Sequence, residues 1–144
     1  MTGLPSVLES SGAGAQATYR FRHALVQEHA YHSLIEETRR GHHRRIMEAL
    51  ERSAEAGNSV DAAHLAFHST EAGEVRRAIP HWRRAGQQAT AGAALEEAVG
   101  HLQHGLELLS ALPEGSERDL EEMELQRTLG AALQALKGYA APEV

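Results

Sequence analysis

Cysteine is missing from all 144 residues, which excludes a disulfide framework and a thiolate metal site and makes a reducing compartment the natural setting. Aromatic residues are only 4% of the chain, with a single tryptophan, so the core must be a thin one built from Ala and Leu. Lysine occurs once, at Lys137, and no glycine-rich loop ends in Lys and Ser or Thr; a phosphate-binding loop is excluded. No stretch approaches the roughly 20 apolar residues that cross a bilayer. Residues 1–12 have neither a basic start nor an apolar run, so a cytoplasmic protein without membrane contact is expected. No serine sits in a glycine-flanked nucleophile turn, and the glutamates between 114 and 124 read as an acidic helix face rather than a paired acid and base. The expectation is a protein that is not an enzyme and uses no cofactor.

The formal charge of −6 is unevenly placed. Residues 90–144 hold three cations, Arg118, Arg127 and Lys137, against ten acids, whereas residues 20–45 hold six arginines, three glutamates and five of the ten histidines. The acidic end argues against nucleic acid as the main partner. The length fits one ordinary domain or a short repeat array.

Residues 1–18, rich in Gly, Ser and Ala, read as a flexible segment. Tyr19, Arg20, Phe21 and Arg22 alternate apolar with charged, the pattern of a short strand with one buried face. From His23 the period turns helical, with Ala24, Val26, Ala30, Tyr31, Leu34 and Ile35 on one broad face. Helices are expected over 23–38, 43–55, 60–72, 75–91, 94–110 and 117–137. Ile46, Met47, Leu50 and Ala54 mark the second; Val60, Ala63, His64 and Phe67 mark the third, which Gly73 caps. The fourth has Val75, Ala78, Ile79, Trp82, Ala85, Gly86 and Ala89 at helical spacing, but Pro80 calls for a kink or a start near Ile79. Leu95, Ala98, Val99, Leu102, Leu106 and Leu109 make the fifth. Ser116 and Asp119 form a capping box for the sixth, which runs through Met123, Leu129, Gly130 and Leu133 to a stop at Gly138. Ala141, Pro142 and Glu143 read as another helix beginning. A partnerless strand at one end and a helix start at the other lead to the expectation of a piece of a larger protein.

Trp82, Ala85, Gly86 and Ala89, followed by Ala98 and Leu102, resemble the tetratricopeptide pattern, in which a large residue, a small pair and another apolar residue pack two antiparallel helices. The repeat is degenerate, since Ala85 stands where leucine is usual and Ala89 where tyrosine is usual. Leu129, Gly130 and Leu133 repeat Ala85, Gly86 and Ala89, and Ile46, Met47 and Leu50 precede them. The resemblance implies an all-α fold of antiparallel hairpins stacked as a right-handed solenoid: two full hairpins and the first half of a third. Gly86 is then a packing position that lets one helix backbone approach Ala98 and Leu102.

The strings YRFRHALVQEHAY (19–31), HSTEAGEVRRAIPHWRRAGQQA (68–89) and LGAALQALKGYAAPEV (129–144) resemble a region of large bacterial signalling proteins. In these, an adenylate or guanylate cyclase module or a DNA-binding module is joined to a signal-transduction-type ATPase and then to tetratricopeptide-like repeats. The resemblance implies three parts: a flexible segment 1–18, a strand remnant and helices at the junction to a missing ATPase core over 19–56, and helical repeats over 57–144. It implies no catalysis here, because the phosphate loop and the cyclase are both absent. The implied role is a protein–protein interaction scaffold whose partners are a protein or peptide, and the neighbouring ATPase domain in full-length relatives.

His64, His68 and Glu71 share a helical spacing that would suit metal ligands, but packing is the stronger reading without cysteine or a fourth ligand, and no metal site is assigned. Arg39, Arg40, His42, His43, Arg44 and Arg45 form a basic run that offers the alternative function, nucleic-acid binding by phosphate contacts; a solvated helix corner is the plainer reading. His29, His32, His101 and His104 read as solvated. In tetratricopeptide repeats the residue after the tryptophan position lines the groove. The repeat alignment puts Arg44, Arg83 and Arg127 there, a candidate row for an acidic peptide, with Glu48 and Glu124 near enough to neutralise it.

Overall fold

The computed structural model describes residues 7–140, with side-chain surroundings from residue 14 onward. All secondary structure in the described residues is helical: α1 (Val7–Glu55), α2 (Ala62–Glu71), α3 (Val75–Ala91), α4 (Leu95–Ser110) and α5 (Ser116–Ala140). Among them no helix is long and apolar enough to cross a membrane. The chain divides into two units inside α1, Met1–Thr38 and Arg39–Val144.

In the first unit the expected strand at Tyr19–Arg22 is not formed, and the segment expected to be flexible is helical from Val7. The physical reason is local: a lone strand leaves its backbone groups without a ladder, whereas a helix pairs its own. Tyr19 stacks on His23 with ring centroids 6.1 Å apart, and Thr18 Oγ1 donates to the Gly14 carbonyl at 2.9 Å, both contacts that only a helix provides. The broad apolar face is present but uncovered within this unit, since Val26, Tyr31 and Leu34 are all exposed. Helices expected over 23–38 and 43–55 are one, because Gly41 costs only about 1 kcal/mol in a helix interior and good helix formers flank it.

In the second unit each of α2 to α5 packs on its neighbour in sequence, and α3 also reaches α5. The turns after α1, α2 and α3 share one hydrogen-bond pattern: Asn58 N–H to the Ser53 carbonyl, Glu74 N–H to Ser69 and Ala94 N–H to Ala89, each enclosing a shorter bond from the preceding residue. This is the Schellman stop, which places the residue after the cap in the left-handed region. Gly57 (φ 87°) and Gly73 (φ 78°) fill it as expected of glycine, but after α3 the position falls on Ala93 (φ 61°) rather than on Gly92. Helices of such length joined by so short a turn must fold back antiparallel.

The core lies between α3, α4 and α5. Ile79, Ala98, Leu102, Leu109, Leu125 and Ala132 form one cluster, and Ala62, Ala66, Ala78, Trp82 and Ala85 form a second against α2. A fully buried side chain such as Leu102 contributes about 1.5–3 kcal/mol by leaving water. Trp82 is 7% exposed, and its indole N–H donates to Thr70 Oγ1 at 2.9 Å. A Cβ added to Gly86 would fall 2.5 Å from Leu102 Cγ, so α3 is packed tightly on α4 at this glycine. Gly105 plays a similar part from α4, with an added Cβ 3.0 Å from Leu125 Cδ2.

Several expected details differ. α3 begins at Val75 and runs through Pro80, which sits in the helix interior at the loss of one backbone bond. The buried stripe of α2 is Leu65, Ala66 and Ser69, so His64 and Phe67 lie outside it. On α5 the buried residues are Leu125, Thr128 and Ala132, while Met123, Gly130 and Leu133 are exposed. α5 opens at Ser116, with the Gly115 carbonyl accepting from Asp119 N–H, and continues past Gly138 to Ala140. The helix start expected at Ala141 to Glu143 lies outside the described residues.

Candidate functional site

The three arginines chosen by repeat position each meet an acid of the same chain. Arg44 Nε lies 3.3 Å from Glu74 Oε1, Arg83 Nη2 3.7 Å from Glu121 Oε1, and Arg127 Nη2 2.8 Å from Glu124 Oε2. Arg83 and Arg127 act on common ground: the Arg127 hydrogen bond and charge hold the Glu124 carboxyl below its usual range, and the charge of Arg83 adds to this. Arg44 instead meets the turn between α2 and α3. The Arg44–Glu74 and Arg127–Glu124 pairs are largely exposed and contribute at most about 1 kcal/mol each, so an external carboxylate can exchange with the internal one there, whereas Arg83 and Glu121 are half-buried.

The basic run is divided by the helix it lies on. Arg39 Nη1 bonds Glu71 Oε2 of α2 at 3.0 Å and Arg44 meets Glu74 in the turn that follows it; Arg39, Arg40, Arg44 and Arg45 are all exposed.

Between those arginines lies a histidine cluster that sequence reasoning found in part. His43 Nδ1 and His68 Nδ1 are 2.8 Å apart, a hydrogen bond that requires one ring to donate and the other to accept. His64 stands 4.9 Å from His68 between ring centroids, and Phe67 meets His43 edge-on at 5.7 Å. Burial, then the charges of His64 and His43, lower the His68 pKa, with Glu71 opposing. Glu71 faces Arg39, and no group of three or more His, Asp or Glu among the described residues is arranged to hold a metal ion. His101 and His104, expected to be merely solvated, flank Trp82 with ring centroids at 5.4 and 4.9 Å.

A further polar group has no signal in the sequence, because its members come from separate helices. Glu51 of α1 binds Arg77 and also lies 3.7 Å from His81, both on α3. Burial lowers the His81 pKa, with the Glu51 charge and hydrogen bond opposing. Beside this group, a cleft of about 150 Å³ opens between the α1–α2 loop and α3. A smaller one of about 100 Å³ lies where Arg118 and Glu121 of α5 approach Pro80; Arg118 Nε and Glu121 Oε2 are buried there without a partner.

No protein-family model matches the chain, and no solved structure matches it. An uncharacterised protein of Rhizobium meliloti (strain 1021) is 30% identical over 118 residues, which make up 82% of this chain and only 12% of that protein. The chain is thus similar to a small part of a far longer relative.

Proposed function

We propose that the chain is a non-catalytic protein–protein interaction module, a tetratricopeptide-like right-handed solenoid belonging to a cytoplasmic bacterial regulator of the cyclase and ATPase signalling type. The observation that carries the reading is the α3–α4 hairpin: Trp82 buried, Gly86 seated on Leu102, and Ala98 and Leu102 completely buried at the positions the repeat requires. Leu65, Ser69 and Ala72 of the preceding hairpin keep the spacing of Ala98, Leu102 and Gly105, and the same turn closes α1, α2 and α3. The great length of the Rhizobium relative supports a place within a multidomain protein. The ligand-facing row is Arg83 and Arg127 around Glu124, with Arg44 further along, and its ligand is an acidic peptide or partner segment whose carboxylates replace Glu121 and Glu124.

Affinity capture with chemical cross-linking in the source cell tests this, using wild type and Arg83→Glu. The reversed charge should remove at least one captured protein whose cross-links map to α3 and α5. An unchanged set of captured proteins, or none at all, would refute the reading.

A further inference from the structure

The smaller cleft, of about 100 Å³ between α3 and α5, holds two polar atoms that are shielded from water and bonded to nothing. One is a donor, Arg118 Nε; the other is an acceptor, Glu121 Oε2. Leaving such an atom buried and unpaired carries a desolvation cost, which is larger for charged groups. The two residues stand one turn apart on α5, and side chains three apart on a helix are neighbours. Glu121 nevertheless turns its other oxygen toward α3, where Oε1 lies 3.7 Å from Arg83 Nη2. At that distance no hydrogen bond forms, and charge alone holds the pair.

Arg118 has no paired acid among the described residues. Its neighbour Glu117 lies 3.7 Å from Arg76 instead, and Glu122, one turn further along α5, makes no pair with it. A ligand carboxylate that takes Arg83 displaces Glu121 from its only counter-charge, and both members of that pair are half-buried. Less water is at hand there to replace the lost cation, so a displaced Glu121 with nowhere to go would weaken binding.

We infer that Glu121 has two seats, Arg83 in the free chain and Arg118 once a ligand carboxylate occupies Arg83, so that Arg118 sets the affinity of a site it does not touch. Turning the Glu121 side chain within the cleft moves its carboxylate from one guanidinium to the other and joins the unbonded acceptor to the unbonded donor. The new contact includes a charge-assisted hydrogen bond, which the 3.7 Å pair lacks. Glu121 is then a built-in competitor for the ligand and Arg118 the positioning residue that draws it aside. The inference rests on the Arg83 row as a ligand site and supplies its regulation.

Two measurements on the full chain test it. The first needs no ligand: in Arg83→Gln, the freed Glu121 should bond Arg118, shifting the Arg118 Nε–H resonance and slowing its exchange with water, and Arg83→Gln/Glu121→Gln should abolish both changes. The second titrates labelled N-acetyl-hexaglutamate amide. Glu121→Gln should tighten binding, Arg118→Gln should weaken it at least about fivefold, and Arg118→Gln/Glu121→Gln should match Glu121→Gln within about twofold. Glu122→Gln should not reproduce the effect of Glu121→Gln. An unmoved Nε–H signal in Arg83→Gln overturns the inference even if Arg118→Gln proves too unstable to titrate. So does a loss from Arg118→Gln that persists in the Glu121→Gln background, because Arg118 would then be acting on the peptide directly. Hexaglutamate binding that depends on Arg83 but not on Arg118 would sink the second seat and leave the row standing. The Nε–H change without any hexaglutamate binding would support the second seat and sink the row.

Discussion

Gly86 shows how far a single residue can be understood from its spacing. The repeat resemblance assigns it to packing, and the geometry agrees: any Cβ there meets Leu102, which is itself fully buried. Gly86→Ala therefore sets an overpacking cost of about 1–3 kcal/mol against the gain of about 1 kcal/mol from removing a helical glycine. A net loss of stability is expected in urea unfolding, and a gain would mean that α3 and α4 are not held at this distance. Gly130 stands at the same repeat position on α5 but has open space beside it, so Gly130→Ala should be neutral or stabilising in the same assay. Sequence reasoning treats these two glycines alike; the covering helix, which only the second lacks among the described residues, separates them. Gly105 escaped notice because a glycine within a leucine-rich helix carries no periodic signal of its own.

At the scale of the element, the sequence is legible wherever the helical period is strong. α3 and α4 match expectation to within a residue, whereas α1 does not. Apolar residues lie on most sides of the α1 sequence, so four residues of chance alternation at Tyr19 read as a strand and Gly41 as a break. Stripe assignment failed for α2 and α5 for a related reason: Phe67 and Met123 are more apolar than the Ser69 and Thr128 that take the buried places, where each hydroxyl bonds a carbonyl one turn back. The turn after α3 makes an element-scale prediction. Ala93 holds a left-handed backbone where the other two turns use glycine, at a cost of about 1 kcal/mol. Ala93→Gly should raise stability by about 0.5–1 kcal/mol, and Gly73→Ala should lower it by a similar amount; a melting temperature unmoved by either would reject the turn assignment.

At the scale of the whole molecule, the acids and bases were counted correctly in the sequence, but their pairing was not visible there. Arg44 and Arg83 each meet a glutamate from another turn or helix, whereas Arg127 meets one on its own helix, and Arg84, with no acid paired to it among the described residues, is indistinguishable from Arg83 in the sequence. Burial leaves a pH signature on this arrangement. His68 and His81 both titrate below the ordinary histidine value, so the folded chain binds fewer protons than the unfolded one in mild acid. Their contribution is complete above about pH 6.5 and is lost as the pH falls toward the folded values. Glu124 follows the same sign lower down, below its ordinary value of 4.5. The urea midpoint should fall between pH 7 and pH 5, and His68→Gln should flatten that slope; a midpoint that rises over this interval would contradict the burial of both rings.

Trp82 is the chain's single indole, held by Thr70 of α2 and flanked by His101 and His104 of α4. Its emission is therefore an optical gauge of one joint, whereas circular dichroism averages over every helix, including the long α1. Followed together through a melt, the two signals act as separate clocks. Coincident curves would mean that the helices lose order as one cooperative body, and an indole transition on its own would time the opening of the α2–α3–α4 joint.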